Sequence, residues 1–306
     1  MQNPRRLFAI LTISLSIFFS CQPHGKDPGK KKILVTTGFI GDAANNILKG
    51  IASVEVLMGP GVDPHLYKAS QGDMQKLSEA DVIIFNGLHL EGKMTDIFEK
   101  LEKRKPVIAV SEGISSNKLL KNDLKGSGYD PHIWLDAGLW SSSISYLGNE
   151  LKDLFPEDSA EIIKNTKDYV QSLQELDAYA KSTLAEIPAS GRILITSHDA
   201  FRYFGRAYDI NVRGLQGIST ISEYGLRDVN EMVNYITTNK IKAVFIESSV
   251  SEKSIQAVME GCIARNHRCV KGGMLFSDAL GKANTAEGTY KGMFRYNLQT
   301  IVNALK

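Results

Sequence analysis

Cysteine is nearly absent from this chain: 306 residues hold three, Cys21, Cys262 and Cys269. That excludes a disulfide-framework miniprotein and a CxxC zinc module. Net charge is equally scarce. Lys and Arg total 36 against 34 for Asp and Glu, and Arg5 and Arg6 alone account for the excess of +2. Beyond residue 20 the chain is therefore neutral, and no basic field points to nucleic acid or to an anionic membrane surface. Long apolar runs are also missing. The longest, Leu7 to Phe19, has thirteen residues, fewer than the roughly twenty that a spanning helix needs. What remains, 43% hydrophobic and 23% charged, is ordinary globular composition and excludes a mainly disordered chain. The length suggests about two domains.

Residues 1–21 read as a signal peptide, with Arg5 and Arg6 as its cationic head and Leu7–Phe19 as its apolar run. Ser20-Cys21 closes that run like a bacterial lipobox, with Phe18 where a leucine is usual. On this reading Cys21 carries a lipid and becomes the first mature residue. Residues 22–31, rich in Pro, Gly and Lys, then form a solvated tether. The expected location is extracytoplasmic and membrane-anchored, in a periplasm or on a cell surface.

From Lys32 onward short apolar runs alternate with amphipathic stretches. Ile33–Val35, Val54–Leu57, Val82–Phe85 and Val107–Val110 read as buried strands, with helical patterns such as Gly41–Lys49 and Ser70–Ala80 between them. This is the βαβ rhythm of a parallel sheet flanked by helices. Residues 156–188 interrupt it. They contain no glycine, and Ile162, Tyr169, Leu173, Leu176, Ala180, Leu184 and Ile187 recur at three- and four-residue spacing. Asp158 or Ser159 can cap the start and Pro188 stops the end. The pattern predicts one helix of about thirty residues, on the order of 45 Å long. The rhythm then resumes at Ile193–Thr196, Asn211-Val212, Val244–Glu247 and Cys269-Val270. The expected fold is α/β: a first lobe over 32–155, a linking helix over 156–188 and a second lobe over 189–306, with mainly parallel sheets.

Six histidines are candidates for chemistry: His24, His65, His89, His132, His198 and His267. His24 falls in the tether, and His267, between Arg265 and Arg268, is expected to be solvated. His65 sits in Gly59-Pro-Gly-Val-Asp-Pro-His65, a turn fixed by two glycines and two prolines. His132 sits in Asp130-Pro-His-Ile-Trp-Leu-Asp136, so Asp-Pro-His occurs twice. Each proline fixes its own φ and biases the preceding aspartate towards extended geometry, which leaves the imidazole less entropy to lose. His198 directly follows the strand Ile193–Thr196, at the carboxyl end where open α/β sheets bind ligands. Two of these histidines belong to the first lobe and one to the second, so they can meet across a cleft. Imidazole suits zinc, copper, iron or nickel, and with a carboxylate it suits zinc or manganese. For the fourth ligand Asp278, in the glycine-flanked loop after the last strand, competes with Glu247 at the end of Val244–Glu247. Either acid could instead cap the next helix.

Taken together, the run from Gly59 to Tyr67, the segment Ala80-Asp-Val-Ile-Ile-Phe-Asn-Gly-Leu-His-Leu-Glu91, the run Asp130–Asp136, Ser197-His-Asp-Ala-Phe201 and the Asp278 loop resemble the metal-binding solute receptors of bacterial manganese and zinc ABC transporters, the TroA/ZnuA-like family. The resemblance covers about residues 32–306. It implies two α/β lobes bridged by a long helix, and His65, His132, His198 and Asp278 as ligands to one Zn2+ or Mn2+. It further implies a monomeric receptor, not an enzyme, that delivers its ion to a membrane permease with a cytoplasmic ATPase. Residues 111–129 contain no histidine, unlike the His-rich loop of the zinc-dedicated branch. Three imidazoles favour zinc in raw affinity, so the metal stays open between the two. Two other readings are a zinc-dependent hydrolase, with Asp278 outside the metal shell and Glu247 as base, and a surface adhesin lipoprotein. No HExxH-type signature supports the hydrolase. Cys262 and Cys269 can be a disulfide or two buried thiols.

Overall fold

The computed structural model describes residues 29–122, 128–222 and 224–306. The signal peptide, the lipidation reading of Cys21, His24 and residues 22–28 of the tether lie outside the described residues. Among those described, no helix is long and apolar enough to cross a membrane.

The first half is built on β1 (Lys32–Val35), α1 (Gly38–Ile47), β2 (Ser53–Val56), α2 (Gln71–Glu79), β3 (Val82–Phe85), α3 (Thr95–Leu101) and β4 (Val107–Ala109). The four strands form one parallel sheet in the order β2-β1-β3-β4, with Ile33 opposite both Val54 and Val82 and Ile84 opposite Ile108. Successive side chains of a strand point to opposite faces. Accordingly Ile33, Val35, Val82 and Ile84 feed one hydrophobic core, while Leu34 and Ile83 feed a second with Leu77, Met94 and Phe98. This burial on both faces explains why the central strands are uninterrupted apolar runs. The edge strand β2 alternates exposed and half-buried residues.

Two long helices follow. α4 (Ala137–Leu154) starts at Asp136, whose carboxylate accepts the Leu139 N–H. It packs along α5 (Ser159–Leu184), a helix of 26 residues, about 39 Å long. The two come close at Gly148, where an added Cβ would collide with the Thr166 side chain. The predicted apolar stripe is the buried one: Ile162, Tyr169, Leu173, Leu176, Ala180, Leu184 and, just beyond the helix, Ile187. The helix is shorter than the pattern suggested. Pro156–Asp158 form a separate 3-10 turn, and no side chain caps Ser159. Pro188 disfavours helical geometry in the residue before it, so the helix ends upstream.

The second half comprises β5 (Ile193–His198), α6 (Arg202–Tyr208), β6 (Asn211–Gln216), α7 (Leu226–Thr238), β7 (Ala243–Glu247), α8 (Lys253–Ala264), β8 (Val270–Leu275) and α9 (Tyr290–Leu305). Its strands make two parallel pairs, β5-β6 and β7-β8, with β5 alongside β7. Residues 31–306 form a single compact unit. Its largest core runs without a break from Ile33 through α4, α5 and α6 to Val302.

Cys262 and Cys269 are both free and buried, in the core cluster that also holds Val258 and Ile236. Burial, together with the neighbouring thiol, pushes Cys262 up to about 12. Of the two readings of this pair, the structure has the buried thiols.

Candidate metal centre

Three loops and the last residue of one strand converge between the two halves. The loop after β2 carries His65. The Asp63 carboxylate accepts the His65 N–H at 2.8 Å, an Asx turn that locks a backbone already restricted by Pro64. The second Asp-Pro-His makes the same turn, with Asp130 accepting the His132 N–H at 3.0 Å. His198 is the last residue of β5, and its N–H donates to Glu247 Oε1 at the end of β7 (2.8 Å). Asp278 follows β8 in a loop held from both sides. The Asn297 side chain bonds the Phe276 N–H and carbonyl at 2.9 and 2.7 Å, and Trp134 Nε1 donates to the Ser277 carbonyl at 2.8 Å.

The four side chains are buried, between 0% and 3% exposed, and they face one another. His65 Nε2 lies 3.3 Å from His132 Nε2. Asp278 Oδ1 lies 3.4 Å from His132 Nε2, and its Oδ2 lies 3.3 Å from His198 Nε2. One donor atom from each residue can be chosen so that all lie within 4.8 Å of one another. Four ligands around a cation at bonds of 2.0–2.2 Å stand about 3.3–3.6 Å apart; the three closest approaches fall in that range, while the set as a whole spreads to 4.8 Å. Asp278 Oδ1 and His198 Nε2 have no hydrogen-bond partner although buried, and a buried polar atom left so is costly. The group can hold one metal ion.

Behind two of the rings stand further carboxylates. Asp130 Oδ1 is 2.7 Å from His132 Nδ1, and Glu247 Oε2 is 2.5 Å from His198 Nδ1. Each leaves the opposite nitrogen pointing at the common centre, the arrangement that orients metal-binding imidazoles. Glu247, the rival for the fourth position, therefore faces away from the centre. Asp278 faces into it, and Ser249 donates to its Oδ2 at 3.3 Å.

The electrostatics follow. Burial pushes His65 down to about 3, an effect the Asp278 charge only partly offsets. Burial acts the same way on His132, but Asp130 and Asp278 outweigh it and hold the ring at about 9. His198 is raised well above the usual range because Glu247 and Asp278 outweigh burial. Burial alone would raise Asp278, yet the His198 and His132 rings hold it well below the carboxylate range. Without a cation, protons on His132 and His198 compensate the buried acids. A divalent ion held by the group would take their place and expel them.

The other histidines lie elsewhere. His89 is exposed, in a left-handed turn at φ 62°. His267 is not simply solvated as expected: it is half-buried, with Nε2 2.7 Å from the Ile241 carbonyl. The orienting acids Asp130 and Glu247 were not assigned that role from sequence. Asp130 was findable, being the first residue of the repeated tripeptide, whereas Glu247 reaches His198 only through the β5–β7 neighbourhood.

Comparison with known proteins agrees with this geometry. The family model for the periplasmic zinc-uptake complex component A, ZnuA, matches residues 33–304. The chain is similar to the manganese-binding lipoprotein MntA of Bacillus subtilis (strain 168), at 50% identity over 275 residues that cover 90% of each chain. It is also similar to the zinc-binding protein TroA of Treponema pallidum (strain Nichols), at 46% identity over 277 residues covering 90% of this chain and 89% of that one. The solved structure of the Treponema pallidum periplasmic zinc-binding protein superposes with a TM-score of 0.88, over 90% of this chain and 99% of that one. The Mn-bound periplasmic metal-binding protein from Candidatus Liberibacter asiaticus, 26% identical, superposes over 90% of this chain and 100% of that one with a TM-score of 0.79.

Proposed function

This chain belongs to the ZnuA family of zinc-uptake component A proteins, and on that premise we propose that it is an extracytoplasmic receptor for one divalent transition metal, zinc or manganese. His65, His132, His198 and Asp278 are its ligands. It hands the ion to an ABC permease driven by a cytoplasmic ATPase. It works as a monomer tethered by a lipid on Cys21, with lobes over 32–155 and 189–306 joined by the 156–188 segment. The relatives support the ABC-transporter role, and several of them are named metal ABC transporter lipoproteins.

The observation that carries the reading is the meeting of three imidazole Nε2 atoms and one carboxylate in a buried centre. Such a set suits capture. Acids placed behind two rings fix their orientation, and displacing protons from those rings couples affinity to pH. Three imidazoles favour zinc in intrinsic affinity, while availability in the compartment can reverse the order. Relatives named for each metal, at 50% and 46% identity, match that balance.

Competition titration of the purified chain with Zn2+ and Mn2+ tests the reading. The wild type binds one ion per chain. His132→Ala weakens binding by more than the roughly 10–100-fold typical of an orienting residue. A variant that keeps its stoichiometry and affinity overturns the ligand assignment.

A further inference from the structure

Glu91 closes the segment Ala80–Glu91, and metal capture as described leaves it without a role. Its carboxylate is buried, with the residue 3% exposed. Its Oε1 accepts the Thr36 hydroxyl at 2.7 Å and the Asn86 N–H at 2.8 Å. Thr36 follows β1 and Asn86 follows β3, so one carboxylate ties together the carboxyl ends of two neighbouring strands.

Between Asn86 and Glu91 the backbone is forced. Gly87, Leu88 and His89 are three consecutive residues at positive φ (86°, 53° and 62°). Glycine takes that geometry freely, but leucine and histidine do so only where the surroundings over-determine it. At Gly87 a side chain is excluded as well, since an added Cβ would meet Ser111 Oγ. The segment's outward connections lead to the metal loops. Asn86 Nδ2 donates to the Pro131 carbonyl at 3.1 Å, directly before His132. The Thr36 carbonyl accepts the Met58 N–H at 2.9 Å, where the chain enters the loop that carries His65.

We propose that Glu91 is a positioning residue for metal capture: its buried carboxylate locks the 86–90 turn, and that turn, through the Asn86 amide on the Pro131 carbonyl, aims His132 at the ion. The proposal rests on the metal-receptor reading above. Strain of this kind is kept at a site when it pre-organises a neighbouring group, and the neighbour here is the fully buried His132.

The test is a double-mutant cycle on the full chain with Zn2+ as probe, read by competition titration and by the dissociation rate. The thermal stability of each metal-free variant is measured alongside. Glu91→Ala and Asn86→Ala each weaken Zn2+ binding about 10–100-fold, the range for residues that orient a ligand. The double variant loses no more than the weaker-binding single variant, because both act through one path. Glu91→Gln restores most of the affinity, since its amide oxygen still accepts from Thr36 and Asn86. If Glu91→Ala does not fold, Glu91→Asp replaces it in the cycle, with the acid drawn back by about one bond, ~1.5 Å. Wild-type affinity in Glu91→Ala or Asn86→Ala overturns the proposal, as do losses that multiply in the double variant or a change confined to thermal stability. A wild-type chain that binds no metal would instead overturn the receptor reading itself.

Discussion

The two copies of Asp-Pro-His begin from identical residues and reach opposite electrostatic states. Both fold into the same turn, with aspartate accepting the histidine N–H at 2.8 Å in the first and 3.0 Å in the second. In the second copy the same aspartate oxygen also lies 2.7 Å from the ring Nδ1. That loop is fully buried, its Asp130 carbonyl taken by Tyr203 and its ring set edge-on against Trp134. In the first copy the second carboxylate oxygen turns away to Thr220 Oγ1, at 2.6 Å. Gly59, Pro60 and Gly61 before that turn are exposed, as is Leu66 after it. His132 is therefore held at about 9 and His65 at about 3. The tripeptide sets the backbone. Burial and the destination of one carboxylate oxygen set the charge. A receptor gains from the difference: one ring is fixed and proton-bearing, while the other is neutral and nearest the outside.

The largest expected effect concerns pH. His132 and His198 both bind protons more tightly than free imidazole, so at pH 7 the ion displaces about two protons. Each displaced proton weakens apparent affinity about tenfold per unit of acidification, so with two protons displaced Zn2+ affinity falls about 10,000-fold from pH 8 to 6. Calorimetry in buffers of differing ionisation enthalpy counts the protons, and release of none would erase the contrast between the copies. The metal-free chain behaves differently. A raised His132 contributes stability that is full below its ordinary 6.5 and is lost as pH rises through about 9. A depressed Asp278 contributes stability that is full above its ordinary 3.8 and is lost as pH falls through its lower folded value. His65, held at about 3, acts oppositely and costs stability increasingly as pH falls below its ordinary 6.5. On these groups metal-free stability peaks near pH 6.5, while the stabilisation added by the ion grows with pH. Thermal melts with and without Zn2+ across pH 4–9 display both trends.

Next in size is the contrast between the two aspartates. Asp130→Asn removes the charge behind His132 and weakens metal binding about 10–100-fold. It also reduces the count of released protons by lowering the affinity of that ring for its proton. Asp63→Asn keeps an oxygen for the turn and touches no ring nitrogen, so its effect stays within about threefold, below the range for orienting partners. Equal losses in the two variants, measured by the same competition titration, would show that the turn and not the ring contact governs affinity.

Much of this centre is legible in the sequence because proline and strand ends leave local marks. The repeated tripeptide marks two rings and the position after Ile193–Thr196 marks His198, whereas only the family resemblance separates Asp278 from Glu247. The apolar stripe of α5 is legible for the same reason, since a 3.6-residue period records burial directly. What stays hidden depends on tertiary neighbours. Glu247 stands behind His198 because β5 lies beside β7. The pairing of α4 with α5 is hidden because Ser141, Ser142, Ser143 and Ser145 dilute the apolar period of α4. The helix is buried all the same, with Trp140, Ile144, Leu147 and Leu151 in the core. The ends of α5 differ from the pattern by a few residues, as happens where turns tighten into 3-10 geometry.

The smallest effect probes what holds the first copy in place. The Thr220 hydroxyl reaches from the segment after β6 to Asp63 on the segment after β2, so this bond joins the His65 turn to the other half of the molecule. Thr220→Val keeps the shape and removes the donor. Asp63 is only half-buried, so water can take over the freed oxygen, and the cost is that of one net hydrogen bond, about 0.5–1 kcal/mol. Applied to the loop that carries His65, that corresponds on the proposed ligand set to a release of Zn2+ about two- to fivefold faster, with the number of protons expelled on binding unchanged because His132 and His198 are untouched. Stopped-flow release into a chelator measures the rate, and calorimetry in two buffers measures the protons. A change in proton count would mean that the two copies are coupled, and that the quiet first ring helps to set the charge of the second.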